Sequence, residues 1–269
     1  MSILLFEGVT HAELYAKYRP KYPDAIYQLI GDYCRAPGAS GLSVAVDIGC
    51  GSGQGTFPLC DIFDHVVGVD ISQSQIEQAL RLQNLDNKYG ADRLKFLVGP
   101  AEDLSFRDDN SVDLISVAAA IHWLDADKFY KEVDRILKPG GSLIVYTYVL
   151  PKPDKEEAVQ IEAQFYKEHL SEYASSRIFP KLEDYEIPYG DEHGVRSVPM
   201  NYSLSVQEYV GLITTLSVSQ TYLQHNPSSE IFDDLTQRLL NLYTDPVTKE
   251  EIPMYTTSTV TVRTGRKPL

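Results

Sequence analysis

Little in this chain is basic. Lysine and arginine number 24 against 38 aspartates and glutamates, a formal net charge of −14. A phosphate backbone needs a cationic surface, so the whole-chain balance argues against nucleic acid as the main partner. Cysteine is scarce: Cys34, Cys50 and Cys60 are an odd, small set with no C-x-x-C spacing. That pattern excludes a disulfide framework and fits a reducing, cytoplasmic setting. None of the six histidines stands in H-x-x-H or H-x-x-x-H spacing, so no metal site is expected. No apolar run approaches the roughly 20 residues that cross a bilayer, and a membrane association is not expected. The opening MSILLFEGVT lacks a basic segment and holds only four consecutive apolar residues, which excludes a signal peptide as an expectation. Repeats and low-complexity tracts are absent, and no obligate protein partner is inferred. What is left is an enzyme-sized chain of 269 residues, long enough to bury a full core.

What is there begins with an alternation. Ser43–Ile48, His65–Asp70, Leu94–Val98, Val112–Val117 and Leu143–Val149 read as short buried strands. Between them lie helical signals. Ser72 is expected to cap a helix with Ile76, Ala79 and Leu80 on one face. Asp125 is expected to cap another with Phe129, Val133, Ile136 and Leu137 aligned, stopped by Lys138-Pro139-Gly140-Gly141. Strand–helix alternation implies parallel strands joined by crossovers, hence an α/β sheet with helices on both faces. Helices are also expected over Asp24–Cys34 and Asp154–Leu170. Further on, Ser205 to Glu208 has capping-box spacing, and Ser228 is read as the cap of a helix carrying Ile231, Leu235, Leu239 and Leu242. Ser258–Thr264 alternates like an edge strand. The expected organisation is a single domain over 1–269. Residues 1–40 form N-terminal helices that cover the cofactor, 41–150 the cofactor-binding core, 151–250 a helical lid inserted after the fifth strand, and 251–269 a C-terminal strand.

The most informative stretch is VDIGCGSGQGT, Val46 to Thr56. Gly49, Gly51 and Gly53 stand where a strand turns toward a helix, so backbone N–H groups can approach a ligand with no Cβ in the way. The dinucleotide fingerprint would need a glycine where Gln54 or Thr56 stands, and a P-loop would need a lysine nearby. A pyrophosphate or triphosphate ligand is therefore disfavoured. Asp70 ends the second strand 19 residues after Gly51, an offset at which an acid accepts ribose hydroxyls. Asp47 either holds the loop or receives a cationic amine. The implied ligand carries a ribose and little or no phosphate, and the two acids are compatible with a positive charge on it.

VDIGCGSGQGT, then VVGVDIS, GPAEDL and LKPGGSL, fall in order over Val44–Val149. Together they resemble the class I S-adenosylmethionine-dependent methyltransferases. The resemblance implies a Rossmann-like, mostly parallel seven-stranded sheet, with S-adenosylmethionine as cofactor and S-adenosylhomocysteine as product. It implies cofactor contacts from Tyr18, Arg19, Asp47, Gly49, Gly51, Gly53, Asp70, Ile71, Ala101, Glu102 and Ala118. Pro100 stands where many relatives carry an acid, so Ala101 and Glu102 are assigned to the adenine instead. Tyr15-Ala-Lys-Tyr18-Arg19-Pro20-Lys-Tyr22-Pro23 and Ala120-Ile121-His122-Trp123 look like the trans-aconitate methyltransferase branch, whose named case methylates a carboxylate. From this a small-molecule acceptor is expected, contacted by Tyr15, Arg19, His122 and Trp123.

Methyl transfer is an in-line displacement at an already activated methyl group, so the protein's main task is alignment. A carboxylate acceptor needs no base, whereas a phenol, alcohol or amine often does. His122, just past the fourth strand, is placed as that base, as a hydrogen-bond donor orienting an oxygen, or as a structural strand-end histidine. Trp123 is either a wall of the acceptor pocket or core. Arg19 binds the methionine carboxylate or an acidic acceptor, because its planar fork suits carboxylates, or forms a surface ion pair. The remaining alternatives are a non-catalytic module with this fold, or methylation of a phenol, amine or macromolecule.

Overall fold

The computed structural model describes residues 8–86, 88–178 and 181–269, and only the backbone of 9, 10 and 191–194. Two helices come first, α1 (Val9–Tyr18) and α2 (Asp24–Arg35), followed by β1 (Val44–Ile48) and the short α3 (Thr56–Leu59). Then come β2 (His65–Asp70), α4 (Gln73–Asp86), β3 (Leu94–Val98), β4 (Val112–Ala118), α5 (Ala126–Ile136) and β5 (Leu137–Tyr148). The rest of the chain forms β6 (Lys152–Pro153), α6 (Glu156–Phe165), β7 (Gly190–Leu204), α7 (Val206–Thr214), α8 (Ser217–His225), α9 (Ile231–Leu242) and β8 (Met254–Arg266).

Among the described residues the strands make one sheet. β3, β2, β1, β4 and β5 lie in that order and run parallel, and β8 lies antiparallel against β5. The two-residue β6 extends the β5 side of β8, and β7 covers its other side. The sheet is thus mostly parallel and Rossmann-like as expected, but it has eight strands among the described residues where seven were expected, because the short β6 shares one side of β8 with β5. Alternate residues of the central strands feed two cores. Ala45, Leu114 and Ile144 pack under α2 and α4, and Val46, Ile48, Ile115, Val117 and Val145 pack under α5. Burial on both faces explains why these strands read as continuous apolar runs.

Three boundaries differ from expectation. β8 alternates in burial but is not an edge strand; β7 pairs along its whole length and is itself the outer strand. The stretch 151–250 therefore holds a 15-residue strand as well as helices. Its alternation is weak, and Pro199 is tolerated because an edge strand need not donate from both sides. Ser228 is not the cap of α9, which starts after Glu230; Ser229 Oγ instead accepts a long bond of 3.5 Å from Ile231 N–H. Other caps form as read: Gln75 N–H donates to Ser72 Oγ, Lys128 N–H to Asp125 Oδ1, and Ser205 and Glu208 close a capping box. The lid helices α6, α7 and α9 have their own core, in which Phe165, Tyr209, Ile213, Leu235 and Leu239 are buried together.

Strand order reverses between β1 and β4. That junction opens a crevice at the carboxyl ends of the strands, where open α/β sheets bind ligands. The register sets Ile48 beside Val117, so the loops after β1 and β4 leave the sheet side by side.

Candidate active site

The glycine loop runs from the end of β1. Gly49, Gly51 and Gly53 all have positive φ, at +65°, +53° and +93°. Gly49 is needed for a second reason: a Cβ there would stand 2.4 Å from Cβ of Ala120, in the loop after β4. Both loops of the crevice can meet only if position 49 has no side chain. At Gly51 a Cβ would come 3.5 Å from Cε1 of Tyr15 and 3.8 Å from Oε1 of Gln75, so α1 and α4 converge on this turn.

Two carboxylates fix the loop. Asp70, at the end of β2, accepts Gly51 N–H at 2.8 Å through Oδ2 and Ser72 N–H at 2.9 Å through Oδ1. It ties the loop to the start of α4 and keeps further lone pairs for a ligand's hydroxyls. Asp47 is wholly buried; its Oδ2 accepts Thr56 Oγ1–H at 2.6 Å, while Oδ1 has no partner among the described residues. Burial, reinforced by the charge of Asp70, pushes the Asp47 carboxyl up to about 6, against the pull of its hydroxyl bonds. Beyond Asp70, Ile71 and Val98 are 51% and 48% exposed, and Ala101 is buried close behind. Acids around a glycine turn, with apolar side chains facing outward beside them, suit a cationic ribonucleoside and repel a pyrophosphate. The residues present therefore fit S-adenosylmethionine. Glu102 is committed elsewhere, accepting Asp125 N–H at 2.8 Å ahead of α5.

Helix α1 straps over this turn. Gly8 N–H donates to Ser74 Oγ, Arg81 pairs with Glu13 at 2.7 Å, and Gln54 Nε2 donates to Tyr15 O. Burial pushes the Tyr15 phenol up to about 12, so it is neutral at pH 7. A cavity of about 20 Å³, lined in part by Tyr15, Arg19, Gly49, Gly55, Ala118 and Tyr148, remains beneath the strap. With α1 in this position that is room for about one water.

Arg19, just past α1, is the half-buried cation of the crevice. It donates to Tyr148 Oη at 3.0 Å and to Thr215 O at 3.1 Å, and its guanidinium lies 4.8 Å from the centre of the Tyr15 ring. Its Nε has no partner, and no carboxylate pairs with it, among the described residues. Arg19 borders the inner cavity and also an outer one of about 120 Å³, shared with Lys17, Tyr18, Tyr202 and Leu212. His122 sits in the turn Ile121–Trp123; burial, then repulsion from Arg19, pushes its pKa down to about 4. Trp123 packs 4.8 Å from the His122 ring, and its carbonyl accepts Arg177 Nη1–H.

The structure thus brings Tyr15, Arg19, Asp47, Gly49, Gly51, Gly53, Asp70 and Ala118 together around one crevice, with His122 close to Arg19. Tyr18 turns away: its ring fills the space where a Cβ of Gly211 in α7 would lie, and it borders only the outer cavity. Tyr148 and Gln75 were missed. Tyr148 ends β5 at the carboxyl edge of the sheet, where the switch-point rule could have found it. Among the described residues no group of histidine, cysteine, aspartate or glutamate could hold a metal, and no helix is long and apolar enough to cross a membrane.

Comparison with known proteins agrees with this geometry. Residues 46–145 match a methyltransferase domain model. The chain is 30% identical over 233 residues to a putative methyltransferase of Dictyostelium discoideum, covering 85% of this chain and 83% of that one. It is 31% identical over 165 residues to a probable S-adenosylmethionine-dependent methyltransferase of Saccharomyces cerevisiae, a match spanning 59% of this chain and 54% of the yeast protein. Among solved structures, a putative type II methyltransferase from Anaeromyxobacter dehalogenans superposes with a TM-score of 0.72 at 26% identity, over 94% of this chain and 100% of that one. The glycine turn braced by Asp70, the sheet order around it and these relatives agree, and the chain belongs to the class I S-adenosylmethionine-dependent methyltransferases.

Proposed function

We propose that this methyltransferase acts on a small-molecule acid and methylates its carboxylate oxygen. One observation carries the reading: Arg19, a half-buried guanidinium beside the glycine turn, has only neutral partners among the described residues. A cation partly withdrawn from water without a counter-charge is costly, and an incoming carboxylate supplies one in a geometry the guanidinium fork matches. The likeness to the trans-aconitate branch supports the same acceptor class, and the net charge of −14 disfavours a polyanionic one.

S-adenosylmethionine supplies an electrophilic sulfonium methyl group. The glycine turn and Asp70 would hold it, the exposed Ile71 and Val98 would offer its base an apolar surface, and the acids Asp47 and Asp70 would favour its positive charge. Arg19 would grip one carboxylate oxygen of the acceptor and leave the other to form the new C–O bond, while the methyl C–S bond breaks and its electron pair stays on sulfur in S-adenosylhomocysteine, the leaving group. No proton has to move, because the carboxylate is already ionised at pH 7. His122 fits this chemistry better than a base role: with a pKa near 4 it is neutral at pH 7 but a weak base, so its work is to orient. Closure of α1 and the lid excludes water. The three buried, unpaired cysteines support a reducing, cytoplasmic setting.

The test is incubation with methyl-labelled cofactor and parallel panels of small carboxylic acids, phenols and amines. Label in a methyl ester is released as methanol by mild alkali. Alkali-labile label from the acid panel is the expected result; alkali-stable label on a phenol or amine overturns the carboxylate assignment.

A further inference from the structure

Gln75 is 2% exposed, and neither its Nε2 nor its Oε1 has a partner among the described residues. An orphaned buried amide is costly, because both ends have lost water and gained nothing. The local sequence explains how it arises. Ser72 caps α4 and Gln75 is the third helical residue, the S-x-x-Q spacing of a capping box. In such a box the glutamine would turn back to the N–H of the cap residue. Here that N–H is already given to Asp70 Oδ1 at 2.9 Å. Half the box forms, Gln75 N–H to Ser72 Oγ at 3.3 Å, and the glutamine head is released.

Its released head lies against the functional turn. Oε1 stands 3.8 Å from where a Cβ of Gly51 would be, and the Tyr15 ring approaches the same point at 3.5 Å. Gly51 is the residue whose N–H Asp70 holds. Asp70 therefore does two things at once: it positions the glycine turn and it frees the Gln75 amide beside it. A residue serving packing alone would gain by being apolar at this buried position, where the amide meets no partner among the described residues.

The geometry points to Gln75 as a cofactor-binding residue whose amide hydrogen-bonds a polar group of the bound S-adenosyl ligand beside Gly51. Tyr15 covers it when α1 is closed on the free protein, and displacement of that ring on ligand binding gives the amide its partner. The inference rests on the cofactor reading above.

The test uses the whole protein, with S-adenosylhomocysteine as the probe. Gln75→Met keeps the length and shape of the side chain and removes the amide. Calorimetric titration should show affinity reduced about fivefold, the worth of one neutral hydrogen bond. The melting temperature of the ligand-free variant should stay level or rise by about 2 °C, because an unsatisfied amide has gone. A structural glutamine would behave oppositely, lowering the ligand-free melting temperature. Unchanged affinity overturns the inference, and so does an affinity loss accompanied by a fall in ligand-free stability. Failure of the wild type itself to bind S-adenosylhomocysteine would refute the cofactor reading, and this is distinguishable because the wild type is titrated first.

Discussion

Charge is handled in opposite ways on the two sides of the crevice. On the cofactor side, Asp70 is held by two backbone amides and Asp47 by a threonine hydroxyl, so both acids brace the turn before any ligand arrives. On the acceptor side, Arg19 meets a phenol, a carbonyl and an aromatic ring, and His122 is pushed to the neutral form beside it. The cofactor side is preorganised by its own hydrogen bonds. The proposed acceptor side keeps a positive charge that no carboxylate among the described residues pairs with.

The contrast breaks most readily at Arg19. Arg19→Met should lower kcat/KM for an acid acceptor by about 100-fold, the cost of losing a desolvated charge-assisted pair. Affinity for S-adenosylhomocysteine should change far less in a titration of the same variant. If the cofactor affinity collapses instead and the acceptor KM is untouched, Arg19 belongs to the methionine carboxylate and the two sides are not separate.

Asp70 sharpens the comparison from the other side. Asp70→Ala removes two charge-assisted bonds within the protein as well as contacts to the ligand. Cofactor affinity should fall at least about tenfold, and the ligand-free melting temperature should drop by about 5–10 °C. Bracing is what distinguishes this acid from a surface ligand. A large affinity loss with an unchanged melting temperature would show that the bonds to Gly51 and Ser72 carry no load.

The smallest effect lies in the pH dependence of stability, where the two sides should oppose one another. Asp47 binds its proton more tightly folded than unfolded, so its contribution is present at low pH and is lost as pH rises from about 4 through 6. His122 is depressed to about 4, so its contribution is present above about 6.5 and is lost as pH falls toward 4. Melting curves between pH 4 and 7 should therefore rise more steeply with pH in Asp47→Asn and less steeply in His122→Asn. The turnover of His122→Asn on an acid acceptor should stay within about fivefold of wild type, since hydrogen bonding survives. An acid limb near pH 4 that vanishes in His122→Asn would assign the histidine a proton-transfer role.

The difference between the sides also governs how far each was legible beforehand. The glycine turn and Asp70 follow from residues close in sequence, whose spacing is dictated by a strand, a turn and the next strand. Ala101 and Ile71 come with the same framework. Arg19 meets Thr215 and Tyr148, 196 and 129 positions away, so its lack of a counter-charge among the described residues is a tertiary fact no spacing reveals. Tyr18 faces α7 rather than the turn for the same reason: one helical step decides which of two neighbouring residues points inward. Gln75 is an intermediate case. Its capping-box spacing is visible in the sequence, but that Asp70 would take the N–H it needs is not. β7 was missed because an edge strand with a proline and little alternation carries a weak local signal.

Helix α1 is held by an exposed ion pair and a handful of hydrogen bonds, yet Tyr15 sits directly on the glycine turn. It is a kinetic gate as much as a cover. If ligand exchange waits on its opening, association should saturate with concentration instead of climbing without limit, which stopped-flow binding measures. Arg19 ends the same helix and is anchored to Thr215 and Tyr148, so arrival of the acceptor and release of the spent donor draw on one motion. Residence time at both ligands is then set by a single strap, and a change in its grip alters the tempo of turnover without touching the atoms that react.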